Sequence, residues 1–154
     1  MLKRTALAAI ALALTFVAVD DVRASEGELI RRFGLEGAWA VNCSKDPAGD
    51  NPYLVFRITR DGGAVRELIM RSSSADGTFV LTGVTPVSAS RIAFRDRRST
   101  GGPGHDVVMQ LENGQLRSIT STAENGQRLI ENGILSSTGQ PSLTFRRCPK
   151  EPTT

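Results

Sequence analysis

The sequence predicts an all-β protein, an up-and-down antiparallel β-barrel of eight to ten strands preceded by a short helix. Three observations predict it. After residue 34, short stretches of alternating apolar and polar residues are punctuated at close intervals by Gly, Asp and Asn, and none sustains a helical period. Turn signals, above all Asp61-Gly62-Gly63 and Asn113-Gly114, join neighbouring stretches directly. The only two cysteines, Cys43 and Cys148, stand beside the first and the last of these strands, where a bridge would clasp a sheet that closes on itself. A barrel leaves no sheet edge unpaired; a β-sandwich is the alternative architecture.

Residues 1–24 have the form of a secretory leader. Lys3 and Arg4 are followed by an apolar run over 6–19, ended by Asp20 and Asp21, and Val22-Arg23-Ala24 offers small or apolar residues where a signal peptidase cuts. The run falls short of the ~20 residues that span a bilayer, although an N-terminal anchor is the alternative. No cysteine follows it closely, which argues against lipid attachment. Residues 25–154 then form a single barrel domain with a loose tail from about 149.

Ser25-Glu26-Gly27-Glu28 is a capping box, Leu29, Ile30 and Phe33 share a helical face, and Gly34 is a stop. In the first strand Trp39, Val41 and Cys43 alternate with Ala38, Ala40 and Asn42, and residues 44–52 form a polar loop. Residues 53–71 read as a hairpin around a three-residue turn, Asp61-Gly62-Gly63. That register sets Phe56 against Leu68, Leu54 against Met70, Val55 against Ile69, and Arg57 against Glu67. Ser72-Ser73-Ser74 is a polar hairpin end. Strands over 78–84 and 90–96 are separated by Pro86, and residues 97–104 form a Gly-rich loop. A second hairpin, 106–110 with 115–121, turns at Asn113-Gly114 and sets Leu111 against Leu116 and Gln110 against Arg117. Glu-Asn-Gly-Gln occurs at 112–115 and again at 124–127, the spacing of one strand plus one turn in a meander. Glu131-Asn132-Gly133 is either a third turn or a bulge. The last strand covers 143–148.

Composition limits function. A formal charge of +3 is too small an excess to argue for nucleic acid. One His and two distant Cys do not make a zinc site, so no metal and no cofactor is expected. Two cysteines in an exported chain make one disulfide, Cys43–Cys148. His105-Asp106 is the one pair suited to base catalysis, but adjacent strand residues point to opposite faces and no motif places a nucleophile, so no catalytic residue is assigned. Arg97 and Arg98, beside the Gly-rich loop, offer a contact for an anionic group. Asn42-Cys43-Ser44 matches a glycosylation sequon but lies in the disulfide-bearing strand.

The stretch Phe33-Gly34-Leu35-Glu36-Gly37-Ala38-Trp39, after its short helix, resembles the start of a lipocalin or related calycin barrel. The resemblance implies a first strand opening on Gly-x-Trp, with Trp39 plugging the closed end and Arg146 or Arg147 packing over it. Two features depart from lipocalins: the loop after the first strand is short, and a first-to-last-strand cysteine pair is not their usual bridge. The secreted metalloprotease inhibitors, a compact calycin-like family, are similar in size and share the Gly-x-Trp start. One conflict is built into the alternation. Cys43 shares a face with Trp39, whereas Cys148 shares one with Arg146 and opposes Phe145; if both apolar sets face inward, Cys148 must lie beyond the regular strand or after a bulge.

The expectation is a periplasmic or secreted, non-enzymatic barrel holding a small apolar or amphipathic ligand, with no nucleic-acid partner and no membrane span once the leader is removed. One Trp, one Tyr and six Phe are few to line a pocket. The alternative is a protein-binding module, such as an inhibitor of a secreted enzyme.

Overall fold

The computed structural model describes residues 23–71 and 74–152. Apart from its last two residues, the expected leader lies outside them, as do Ser72 and Ser73. Among the described residues the chain forms α1 (Glu26–Phe33), β1 (Gly37–Ala40), β2 (Tyr53–Ile58), β3 (Ala64–Ile69), β4 (Gly77–Ser88), β5 (Arg91–Arg98), β6 (Gly104–Glu112), β7 (Gln115–Ala123), β8 (Arg128–Glu131), β9 (Ile134–Leu135) and β10 (Thr144–Arg147). Every pairing is antiparallel, and successive strands from β1 to β9 are neighbours. Strand β10 pairs with both β1 and β7, so β1–β7 and β10 close an eight-stranded barrel. The β8–β9 hairpin branches from the far end of β7.

Helix α1 is capped as its sequence dictates. The Ser25 hydroxyl accepts from the Glu28 N–H (3.3 Å), and Gly34 turns left-handed (φ 88°) to end it. Its apolar face closes one end of the barrel: Ile30 and Leu35 are fully buried in the core, with Leu29 and Phe33 packed against it. The helix touches the β2–β3 turn through Gly27, whose N–H donates to the Gly62 carbonyl (2.9 Å).

That turn corrects the first hairpin's register. Leu54 faces Leu68, Phe56 faces Arg66, and Arg57 faces Val65. The loop has three residues, as expected, but it is Arg60-Asp61-Gly62 rather than Asp61-Gly62-Gly63, with Gly62 left-handed (φ 84°). The Thr59 N–H closes it on the Gly63 carbonyl (3.0 Å). Moving the turn by one residue shifts the pairing by two, which leaves every side chain on its expected face. Arg57 and Glu67, expected opposite each other, are instead diagonal neighbours, with Nε 3.1 Å from Oε2.

The second hairpin has the expected register: Leu111 faces Leu116 and Gln110 faces Arg117. Asn113 and Gly114 both have positive φ (52° and 73°), as a type I′ turn requires. Asn132-Gly133 repeats that chemistry (φ 51° and 76°) between β8 and β9, so the third Glu-Asn-Gly is a turn. Pro86 does not separate two strands; β4 runs through it. Pairing of β4 with β3 stops at Leu81, so the missing proline N–H lies where the strand has no partner on that side.

Two apolar clusters sandwich the first strands. The barrel interior holds Trp39, Leu54, Phe56, Leu81, Ile92 and Phe94 among others. A smaller one on the outer wall joins Ala38, Ala40, Tyr53, Val55, Ile69 and Cys148, with Cys43 against it. This resolves the conflict between the cysteines. Cys148 continues the alternation of β10, its N–H donating to the Ala38 carbonyl (2.8 Å), and faces outward. It is Cys43 that leaves the pattern, because β1 ends at Ala40 and the chain bends away. The two are bridged, with Cα atoms 5.4 Å apart. Beyond the bridge the tail crosses the outer wall, where the Arg57 guanidinium donates to both carboxylate oxygens of Glu151 (2.8 and 2.7 Å).

Candidate functional site

The closed end is built around Trp39. Its indole N–H donates to the Leu35 carbonyl (2.8 Å), so burial leaves no polar atom unpaired there. Arg147, directly opposite Trp39 across β1–β10, places its guanidinium 5.9 Å from the ring centroid and donates to the carbonyls of Gly34 (3.2 Å) and Glu36 (2.6 Å). Arg146 is exposed and pairs with Ala40 and Gln115. Of the two terminal arginines, Arg147 therefore covers the tryptophan.

The opposite end differs in chemistry. Along β5 the inward residues are Ile92, Phe94 and then Asp96, and along β6 they are Met109, Val107 and then His105. Both rows start apolar near the helix and turn polar at the far rim. Asp96 and His105 are direct cross-strand partners. Inward-facing Arg66 on β3 joins them by reaching past Phe79, its partner on β4. The guanidinium lies 4.8 Å from the Phe79 ring centroid, and its Nη2 donates to Asp96 Oδ2. His105 Nδ1 is 3.2 Å from the other oxygen, Oδ1. Asp96 is 1% exposed.

These three residues form one wall of a recess of about 240 Å³ at the barrel mouth. Phe79, Val107, Met109, Leu129 and Ile130, with Ser118 and Ser121, line the remainder. Burial pulls the Arg66 pKa below its ordinary value, opposed by the charge and the hydrogen bond of Asp96. Arg66 Nε is buried and has no hydrogen-bond partner among the described residues.

His105 thus pairs with Asp96, not with its chain neighbour. Asp106 faces outward, where Arg95 grips it through two hydrogen bonds of 2.9 Å and holds its carboxyl below the usual carboxylate range. Arg97 and Arg98 end β5 and diverge. Arg97 bonds Glu124 (2.9 Å), whereas Arg98 donates to the Asp76 carbonyl (3.0 Å) and lies 5.3 Å from the Phe79 centroid, at the mouth. Neither Asp96 nor Arg66 was singled out from the sequence. The signal was present in both: Ile92-Phe94-Asp96 and Ala64-Arg66-Leu68 each put a charge on the face whose other residues are apolar. Among the described residues no cluster suited to a metal ion occurs, and no helix is long and apolar enough to cross a membrane.

Comparison with protein-family models, with characterised proteins and with solved structures finds no match to this chain. Its functional reading rests on its own residues.

Proposed function

We propose that this chain is an exported, non-enzymatic binding barrel of the calycin kind, which holds a small amphipathic ligand in the recess at its mouth. One observation carries the reading: a polar set centred on the buried Asp96, with Arg66 and His105 half-buried against it, stands at the rim of an otherwise apolar interior and faces a recess with mostly apolar walls. A buried ion pair adds little to stability compared with apolar residues of the same volume. A few convergent polar groups among apolar walls is the usual build of a ligand site.

The closed half of the barrel is filled by Ile30, Leu35, Trp39, Phe56 and Leu116, which confines the ligand to the mouth. Pockets for drug-sized molecules run to roughly 300–1,000 Å³, so a recess of about 240 Å³ suits a short molecule or one end of a longer one. Export is supported by Lys3, Arg4 and the apolar run that follows, together with the Cys43–Cys148 bridge. The calycin assignment is supported by Gly37-Ala38-Trp39 and the Arg147 cover over Trp39. The filled lower barrel also favours the second reading, an inhibitor-like protein-binding module; Val87 is 58% exposed and Leu143 44%.

The test is native mass spectrometry of the protein purified from a secreting host, followed by removal of any bound molecule and its return to ¹⁵N-labelled protein. A retained small molecule that shifts the amides of Val107, Met109 and Ile130 is the expected result. A clean protein mass, with no amide shifts from a panel of short amphipaths at millimolar concentration, would remove the reading. A stoichiometric protein partner would replace it with the inhibitor alternative.

A further inference from the structure

We propose that Asn113 is a site of self-modification: in the folded protein the Gly114 backbone nitrogen displaces its side-chain amide, and the β6–β7 turn ages to aspartate and isoaspartate. The other two Asn-Gly pairs of the chain, at Asn125 and Asn132, are held back by their surroundings. The inference does not depend on what the mouth binds.

The reaction needs no partner but water. The Gly114 nitrogen loses its proton and bonds to Asn113 Cγ. The Cγ–Nδ2 bond breaks, and the amide takes up a proton and leaves as ammonia. Water then opens the five-membered ring at Cγ, which gives aspartate, or at the main-chain carbonyl, which gives isoaspartate. Glycine hinders this least, because no Cβ stands beside the attacking nitrogen. That nitrogen must be free to lose its proton and to swing onto Cγ.

Two comparisons isolate what differs among the three turns. Asn113 and Asn125 lie in identical tetrapeptides, Glu-Asn-Gly-Gln, and both are exposed, so neither sequence nor access to water separates them. Asn113 and Asn132 share a turn shape, with φ of 52° and 51° followed by glycines at 73° and 76°, so backbone conformation does not separate them. The glycine nitrogen does. The Gly126 N–H donates to the Ala123 carbonyl (2.8 Å), and the Asn125 side chain is itself held, Oδ1 accepting from the Gln127 N–H (3.0 Å). Gly133 is buried and tied on both sides: its N–H donates to the Ile119 carbonyl (2.8 Å), and its carbonyl accepts from the Ser142 N–H (2.8 Å) and Arg117 Nη2 (2.9 Å). The Gly114 N–H is exposed and has no hydrogen-bond partner among the described residues. The product bears on the fold, because isoaspartate adds a methylene to the main chain of a two-residue turn that has no room for it. Beyond Glu112 and Gln115 the next pair is Leu111 with the fully buried Leu116, so ageing frays the hairpin toward the closed end, away from the recess.

The experiment incubates the oxidised mature protein in mildly alkaline buffer and follows each asparagine by tryptic peptide mass mapping, reading the mass gain of an amide turned to acid. Trypsin cuts after Arg98, Arg117, Arg128 and Arg146, so the three asparagines fall on separate peptides. Asn113 is expected to convert about tenfold faster than Asn125 or Asn132, the rate factor of about one net hydrogen bond. In the reduced protein unfolded in urea, Asn113 and Asn125 should converge, since their neighbours are identical. Equal or faster conversion of Asn125 or Asn132 in the folded protein overturns the inference, as does no conversion of Asn113 over the time in which the unfolded chain is consumed. A gap between Asn113 and Asn125 that persists undiminished in urea overturns the role given to the Gly114 and Gly126 nitrogens.

Discussion

Replacing Asp96 with Ala is expected to cost the fold about 3 kcal/mol, out of a total stability of about 5–15 kcal/mol for a domain of this kind. Asp96 is 1% exposed and is the acceptor for both Arg66 and His105. Its removal leaves a guanidinium in the barrel with no counter-charge and strips the imidazole of its partner. Breaking a buried pair from one side costs about 3–5 kcal/mol. Arg66 keeps 18% of its side chain in contact with water, which places the loss at the lower end. Changing both partners gives the opposite expectation: Arg66→Met with Asp96→Leu removes the charges together, retains apolar volume over Phe79, and should come within about 1 kcal/mol of the parent or exceed it. Urea unfolding of the oxidised protein, followed by Trp39 fluorescence, measures both. Trp39 sits at the closed end, so it reports global unfolding rather than local change at the mouth. Equal m-values would show that the transitions are comparable. A loss below about 1 kcal/mol for the single variant, or a double variant as unstable as the single one, would refute the claim that these charges are buried and coupled.

Gly27→Ala sets two effects against each other: alanine favours helix by about 1 kcal/mol, but its methyl would sit 2.5 Å from Ile58 Cγ2 and 2.8 Å from the carbonyl oxygens of Gly62 and Gly63. Overpacking of this kind costs about 1–3 kcal/mol, so the thermal midpoint should fall; a rise would show that the helix does not dock through Gly27. Glu124 has its pKa lowered, first by the Gly104 N–H and then by the charge of Arg97, so its contribution is present above the ordinary carboxylate range and is lost as pH falls through the lowered folded value. A side-chain NMR titration of Glu124 should find its midpoint below the ordinary glutamate value, and a midpoint at or above that value removes the Gly104 contact. Replacing Cys43 and Cys148 together with Ser should cost about 2–5 kcal/mol, with amide exchange quickening in β10 before β6 and β7; uniform quickening would mean that the bridge acts on the unfolded chain alone.

How far the fold could be read follows from how many conformations each turn allowed. Asn113-Gly114 admits one reading, a two-residue turn with both φ values positive, and the hairpin register followed from it. Asp61-Gly62-Gly63 offers two adjacent glycines for one left-handed position, and alternation cannot choose between them, since the alternatives differ by two residues and bury the same faces. What chose Gly62 is tertiary: its carbonyl receives the Gly27 N–H of the docked helix. Pro86 reads as a strand breaker only if the strand is flanked on both sides, and β4 outruns β3 before reaching it. The site was legible in part. His105 stood out as the only histidine, but its partner is set by cross-strand register, through a loop whose length fixes Asp96 opposite it. Chain adjacency suggested Asp106, which the same alternation sends to the other side of the wall.

The position of the disulfide follows from where the barrel is thinnest. Strands β2 and β3 share six paired positions, and β6 and β7 share eight, whereas β10 contributes two to β1 and three to β7. That seam also joins the most distant parts of the chain, so its closure carries the largest loop entropy and the smallest return in ladder hydrogen bonds. Two devices meet there. The Cys43–Cys148 bridge, spanning 105 positions in sequence, fixes the end of β10 to the loop after β1. The tail then crosses β1 and places Glu151 on Arg57 of β2, a bidentate but half-exposed pair worth about 0.2–1 kcal/mol by itself. Arg147 adds a third tie, to the backbone of Gly34 and Glu36. All three hold the closed end and the seam, while the recess is built from β3 to β8, away from them. A ligand held at the mouth, as proposed above, would therefore leave untouched the contacts that keep the barrel shut.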